Sequence, residues 1–171
     1  SFPTRRSSDL EKTVAWVEPD FELRIYPDSV LRDFCEKITT FDKKLESYAD
    51  RMFRFMREQN GIGLAAPQIG LLRRIVTVDV QGVEPIILNP VILATSVSEA
   101  HATEGCLSLP DQWYDVKRWY SIDIKAQNIH GKELKFKLKG LGARVLQHEI
   151  DHLNGYLICD RGVRREAPDN S

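Results

Sequence analysis

Cysteine is scarce in this chain. The three that occur, Cys35, Cys106 and Cys159, form an odd set with none of the spacings of a disulfide framework. That excludes a small secreted domain stapled by disulfides and favours a reducing interior. Long apolar runs are missing as well. Nothing approaches the roughly 20 residues that span a bilayer, and no N-terminal apolar segment resembles a secretory signal. No membrane partner is therefore expected. Charge of one sign is also lacking: the formal net charge is −1, which gives no general drive toward nucleic acid. Internal repeats and linkers are absent, so the 171 residues read as one domain of ordinary hydrophobic (42 %) and charged (29 %) content.

Histidine is rare too, and its placement is informative. Two of the four His fall in Gln147-His148-Glu149-Ile150-Asp151-His152, a His-Glu-x-x-His pattern. On a helix, residues four apart share a face, so His148 and His152 can present two imidazoles to one metal ion. Glu149 stands beside the first ligand, within reach of the proton of an activated water. The plainer reading is two surface histidines on an amphipathic helix. The Glu in place between two of only four histidines weighs against it.

Along the chain, SFPTRRSSDL (1–10) has no periodicity and matches what a common sequencing adapter would encode. It reads as an extraneous leader, with a catalytic domain expected over 11–163 and a polar tail over 164–171. Helical spacing of Leu45, Tyr48, Ala49, Met52, Phe53, Phe55 and Met56 predicts an amphipathic helix from Asp42 to about Gln59, ended by Asn60-Gly61. Gly61–Gly70 reads as a loop without regular structure whose backbone comes close to a ligand, as glycine permits. Strands are predicted over 72–80, 84–88 and 91–99, broken by Gly82 and Asn89-Pro90. A hairpin is predicted over Tyr120–Lys139, then a helix Ala143–Leu153, a short strand Tyr156–Cys159 and a frayed end beyond Asp160. Cys35 and Cys159 read as small buried hydrophobes. The class is α+β: antiparallel β-sheets packed around a central helix that carries His-Glu-x-x-His.

That pattern alone does not name a reaction, and the third ligand discriminates. One metalloprotease motif adds Gly three residues after the second His and a third His beyond it. Gly155 fits, but the ligand position is Ile158. Another class takes a downstream Glu; here the sole Glu after His152 is Glu166, in the polar tail. Upstream, Glu104-Gly105-Cys106-Leu107-Ser108 offers a thiolate in a short extended stretch. One Cys and two His leave a position open for water, as a catalytic centre requires.

Gly61–Gln68 (GIGLAAPQ), Glu104–Ser108 (EGCLS) and Gln147–His152 (QHEIDH) together resemble the three signature motifs of the peptide deformylases, in the same order. The resemblance runs from about Phe21 to Asp160. It implies a hydrolase that removes the formyl group from N-terminal formyl-methionine and releases formate, with an N-formylmethionyl peptide as substrate. It further implies that Cys106, His148 and His152 bind one divalent metal, iron(II) foremost, with zinc, nickel or cobalt as substitutes. Glu149 would be general base and acid, while Gln68 and the Leu107 N–H support the oxyanion. Ile62, Gly63 and Gly105 would line the peptide site, where an extended substrate pairs like an added strand. Leu141 and Val145 are candidate walls of a methionine pocket, with a core role equally open. Glu104 and Arg118 match an acid–base pair that braces the Cys loop. Asp151 reads as a solvated or capping carboxylate facing away from the metal.

Trp113 departs from the pattern: some members carry an Arg there, which leaves preference beyond methionine open. Many bacterial members end in a basic helix that docks on the ribosome. This chain stops soon after Asp160, so association by that route is not expected. The expected compartment is bacterial cytoplasm or an organelle matrix. Two other readings stand beside this one, a zinc-dependent peptidase and a non-catalytic binding module stapled by metal. Glu149 and Gln68 argue against the second, because a structural site needs neither.

Overall fold

Asp42 starts the first helix by accepting the Leu45 N–H on its side chain at 2.9 Å, a standard N-cap that satisfies one orphan donor. Helix α1 then runs Lys43–Glu58 and buries Leu45, Tyr48, Ala49, Met52 and Met56 along one face. It stops at Asn60, whose φ of 59° is left-handed. Its buried face packs with Leu64, Ile69, Ile75 and Leu88. Each such side chain contributes about 1.5–3 kcal/mol on leaving water. The computed structural model describes residues 21–168, so the expected leader lies outside the described residues.

The strands are β1 (Gly63–Ala65), β2 (Ile75–Val78), β3 (Ile86–Thr95), β4 (Glu99–Cys106), β5 (Leu109–Trp119), β6 (Ser121–Gln127), β7 (Glu133–Lys139) and β8 (Gly162–Arg165). They form a five-stranded sheet, β1-β2-β3-β6-β7, and a three-stranded sheet, β4-β5-β8. Every neighbouring pair is antiparallel. Helix α2 (Gly140–Leu153) buries Ala143, Val145, Leu146, Ile150 and Leu153 against Val76, Val78, Ile87, Ile122 and Ile124 of the larger sheet. On its other side Gln147 exchanges hydrogen bonds with the Trp119 main chain at 3.1 and 2.9 Å. One helix is thereby clasped to both sheets.

Several sequence expectations are corrected here. Gly61–Gly70 is not an irregular loop: it contains β1 and a 3₁₀ turn at Ala66–Ile69. Its small residues let the turn pack with no bulk. Asn89-Pro90 does not break β3. The register shifts between Leu88 and Val91, which is a bulge, where a residue without an N–H is tolerated. Asn89 there accepts from the Ile38 N–H and donates to the Ile38 carbonyl and to Gln127. Gly140 and Gly142, expected ahead of α2, lie inside it. The short strand expected at Tyr156–Cys159 is not formed: Ile158 and Cys159 open α3 (Ile158–Arg161) instead. The end beyond Asp160 is not frayed throughout, since Gly162–Arg165 pairs with Val116–Trp113. Cys35 is buried, and burial pushes its thiol up to about 12; Cys159 is half-buried, 3.8 Å from an Arg32 nitrogen.

Asp160 joins α3 to the 3₁₀ turn at Ser29–Arg32. It accepts the Leu157 N–H at 2.8 Å and pairs with Arg32. Burial works to raise its carboxyl pKa, but Arg32 and the Leu157 N–H outweigh burial and hold it below the ordinary value. A depressed folded-state pKa stabilises above the unfolded value and is lost as pH falls through the lowered one. Asp160→Asn is expected to lower Tm by about 2–6 °C at pH 7, with the gap to the parent narrowing toward about pH 3. Thermal melts at both pH values check this, and a gap that does not narrow would contradict it.

Candidate active site

Strand β4 delivers the thiol. Its register with β5 pairs Glu104 with Tyr114 and Cys106 with Leu109, so Pro110, Asp111, Gln112 and Trp113 stand opposite Gly105 alone. The hairpin turns at Leu107-Ser108, leaving Cys106 at the end of β4, facing α2. Helix α2 delivers the imidazoles: His148 and His152 lie one turn apart, their ring centroids 5.1 Å from each other. Cys106 Sγ is 3.3 Å from His152 Nε2. One donor atom from each of Cys106, His148 and His152 lies within 4.8 Å of the others.

Glu104 fixes His148. Its Oε1 is 2.8 Å from His148 Nδ1, which turns Nε2 toward Glu149, whose Oε1 is 3.9 Å away. Arg118 grips the same carboxylate through Nε at 2.7 Å and Nη2 at 2.9 Å. Burial works to raise the Glu104 pKa, but hydrogen bonds from His148 and Arg118 outweigh it and hold it at about 2. The other half of the expected brace, Arg118, also reaches Asp151 at 2.9 Å. Asp151 in turn accepts from Arg161 at 3.2 and 3.0 Å. The reading of Asp151 as a solvated carboxylate is therefore wrong: it anchors Arg118 from behind. Arg144 is a further residue the sequence reading missed, donating to Glu104 Oε2 at 2.6 Å.

Beside the triangle stand two polar side chains. Glu149 is 3 % exposed and its Oε2 has no hydrogen-bond partner. Burial pushes its carboxyl up to about 7, against the lowering pull of His148 and Arg118. A group that titrates near neutrality is suited to both take and return a proton. Gln68 is buried, its Oε1 accepting the Ala65 N–H at 2.9 Å. Its Nε2 is thereby turned toward Ser108 Oγ at 3.2 Å and Cys106 Sγ at 3.7 Å.

A divalent cation fits this donor set. Two imidazoles and a thiol converge from a helix and a strand, the combination that suits zinc and its neighbours. A buried carboxylate oxygen without a partner lies beside them, an arrangement costly unless a further ligand group satisfies it. Neither ligand position that would mark other metallopeptidases joins the converging donors among the described residues. Ile158 is buried in a core cluster with Leu31 and Leu157, and Glu166 lies past the end of β8.

Cys106 and His148 open on a cavity of about 600 Å³ whose lining includes Ile62, Gly63, Gly105, Leu107, Leu141 and Val145. Leu141 is exposed at its rim, while Val145 belongs both to the cavity wall and to the core. Strands β1 and β4 each stand at the edge of their sheet, and both border the cavity. Gly63 leaves room for Glu149: a Cβ there would lie 2.6 Å from Glu149 Oε1 and 3.0 Å from Val145 Cγ1, so a side chain would push the carboxylate aside. Gly63→Ala is expected to displace Glu149 and lower kcat about 100-fold with little change in far-UV circular dichroism. Full turnover in that variant would contradict the placement.

Comparison with known proteins places the chain in a family. The polypeptide deformylase family model matches residues 21–167. The chain belongs to the peptide deformylase family. Peptide deformylases are metal-dependent hydrolases that remove the N-formyl group from newly made polypeptides, and this chain is such an enzyme. The peptide deformylase of Thermotoga maritima is 40 % identical over 141 residues, covering 82 % of this chain and 86 % of that one. Its crystal structure superposes with a TM-score of 0.80 at 39 % identity, covering 86 % and 98 % of the two chains. The chloroplastic peptide deformylase 1B of Oryza sativa is 42 % identical over 84 % of this chain and 55 % of its own length. Relatives thus include bacterial and plastid enzymes. Among the described residues, no helix is long and apolar enough to cross a membrane.

Proposed function

We propose that Cys106, His148 and His152 hold the catalytic metal and that the groups around them divide the deformylation chemistry. The observation that carries this is the convergence of three donors within 4.8 Å, with Glu149 and Gln68 beside them on the wall of one cavity. When bound, a divalent cation supplies Lewis-acid polarisation and lowers the pKa of water. Glu149 takes the proton of the attacking water and returns it to the departing amine. The Gln68 amide and the Leu107 N–H donate to the formyl oxygen as negative charge builds on it. One such donor is typically worth about 3–4 kcal/mol of barrier.

The peptide lies extended between the free edges at Ile62-Gly63 and Gly105, pairing with main chain on both sides. The methionine side chain enters the apolar space beside Leu141 and Val145. Glu104, gripped by Arg118, holds the His148 ring through Nδ1, so that Nε2 would be the nitrogen offered to a bound cation. Iron(II) is the proposed native metal, with zinc, nickel or cobalt able to occupy the same donors. The enzyme works where formylated chains are made, in bacterial cytoplasm or an organelle matrix.

The test of the ligand set is spectroscopic. The cobalt(II)-loaded protein is expected to show a thiolate charge-transfer band that Cys106→Ser removes, and His152→Ala is expected to lose the metal on gel filtration. A band unchanged by Cys106→Ser would overturn the assignment.

A further inference from the structure

Arg144 has no role in the account above beyond its contact with Glu104. It stands on α2 one turn before His148, its side chain 13 % exposed. Its guanidinium is committed entirely to the smaller sheet. Nη2 donates to the Ala100 carbonyl on β4 at 2.7 Å, and Nη1 to the Val116 carbonyl on β5 at 3.0 Å. The same Nη1 donates to Glu104 Oε2 at 2.6 Å. A planar guanidinium in three charge-assisted bonds is a rigid strut, in a way that a flexible ammonium is not.

The ends of that strut are the two elements that carry the metal donors. Helix α2 bears His148 and His152; β4 ends at Cys106. The 3.3 Å separation of Cys106 Sγ and His152 Nε2 spans the gap that Arg144 bridges. Beside it, Glu104 meets the His148 ring at 2.8 Å, a second β4–α2 bond that Arg144 supports by holding the same carboxylate. Gln147 joins α2 to the main chain of β5 at Trp119, and Arg118 reaches α2 through Asp151. Arg144 ties α2 directly to the main chain of β4.

We propose that Arg144 is a positioning residue of the metal centre. It sets the β4–α2 spacing on which the Cys106–His148–His152 triangle depends, and it holds Glu104 against the His148 ring. The inference rests on the metal-site reading above.

The test loads cobalt(II) into the parent, Arg144→Met, Arg144→Lys and Leu45→Ala. Visible spectra are recorded, and cobalt loss to a chelator is timed. Leu45 is buried on α1, so its truncation destabilises the fold by a route that leaves the β4–α2 contact intact. Arg144→Met, matched in length but without donors, is expected to lose cobalt about 10–100-fold faster than the parent, with shifted bands. Arg144→Lys, which keeps the charge but cannot span three acceptors, is expected to fall between. Leu45→Ala is expected to keep the parent's spectrum and rate despite a lower Tm. If Arg144→Met does not fold, Arg144→Lys carries the same comparison. A parental spectrum and rate in a folded Arg144 variant, or equal acceleration in Leu45→Ala, would overturn the proposal. A folded parent that takes up no cobalt overturns the metal-site reading itself, and this inference with it.

Discussion

Glu149→Ala is expected to lower formate release from a formyl-Met tripeptide by about 10²–10⁴-fold, with metal content at the parent's level. The carboxylate contributes no donor to the Cys106–His148–His152 cluster, so its removal leaves the ligands in place. What is lost is the group that carries the proton from water to amine. Glu149 is buried with a partnerless Oε2, whereas Glu104 is locked between Arg118, Arg144 and His148 and is not placed to take over its proton. A variant with parental kcat, or one that loses its metal, would contradict the division of roles. Metal analysis beside the rate measurement separates these two failures.

Gln68→Ala is expected to lower kcat by about 10²–10³-fold with a smaller change in KM. The Ala65 N–H pins Oε1 at 2.9 Å, so Nε2 is the amide atom turned toward the Cys106 side of the cavity. A donor held there ahead of the reaction needs no reorganisation when charge builds on the formyl oxygen. Such a donor acts on the transition state more than on the bound substrate, which is why the loss should fall on kcat. A rise in KM at unchanged kcat would instead make Gln68 a substrate-binding residue.

The chemistry of this enzyme was legible because its bearers sit in short local motifs. His148, Glu149 and His152 are within five positions of one another, and helical periodicity puts both imidazoles on one face. Cys106 was reached by excluding Ile158 and Glu166 as ligands. The residues that escaped are those whose meaning lies in distant pairing. They are Arg144, which stands 40 positions from Glu104, and Asp151, which stands 33 positions from the already expected Arg118. No local pattern distinguishes such an arginine from one on a solvated helix face.

The fold divides the same way. Helix α1 followed from periodicity and the Asn60-Gly61 stop, and the β6–β7 hairpin from alternation around a turn. Strand β8 did not, because Gly162–Arg165 is polar and exposed along most of its length; its order comes from main-chain pairing with β5. Strand β3 was cut in two because Pro90 reads as a breaker until the bulge beside it is seen. The turn of α3 hides for a related reason: Asp160 caps it at the Leu157 N–H, but four residues are too few to show a period.

The most direct test of the account is formate release from a formyl-Met tripeptide by the full chain loaded anaerobically with iron(II) or nickel(II), with the acetyl-Met tripeptide alongside. The account requires metal-dependent formate from the first peptide, abolished by a chelator and restored by reloading, and no acetate from the second. A folded, metal-loaded protein that releases no formate would contradict it.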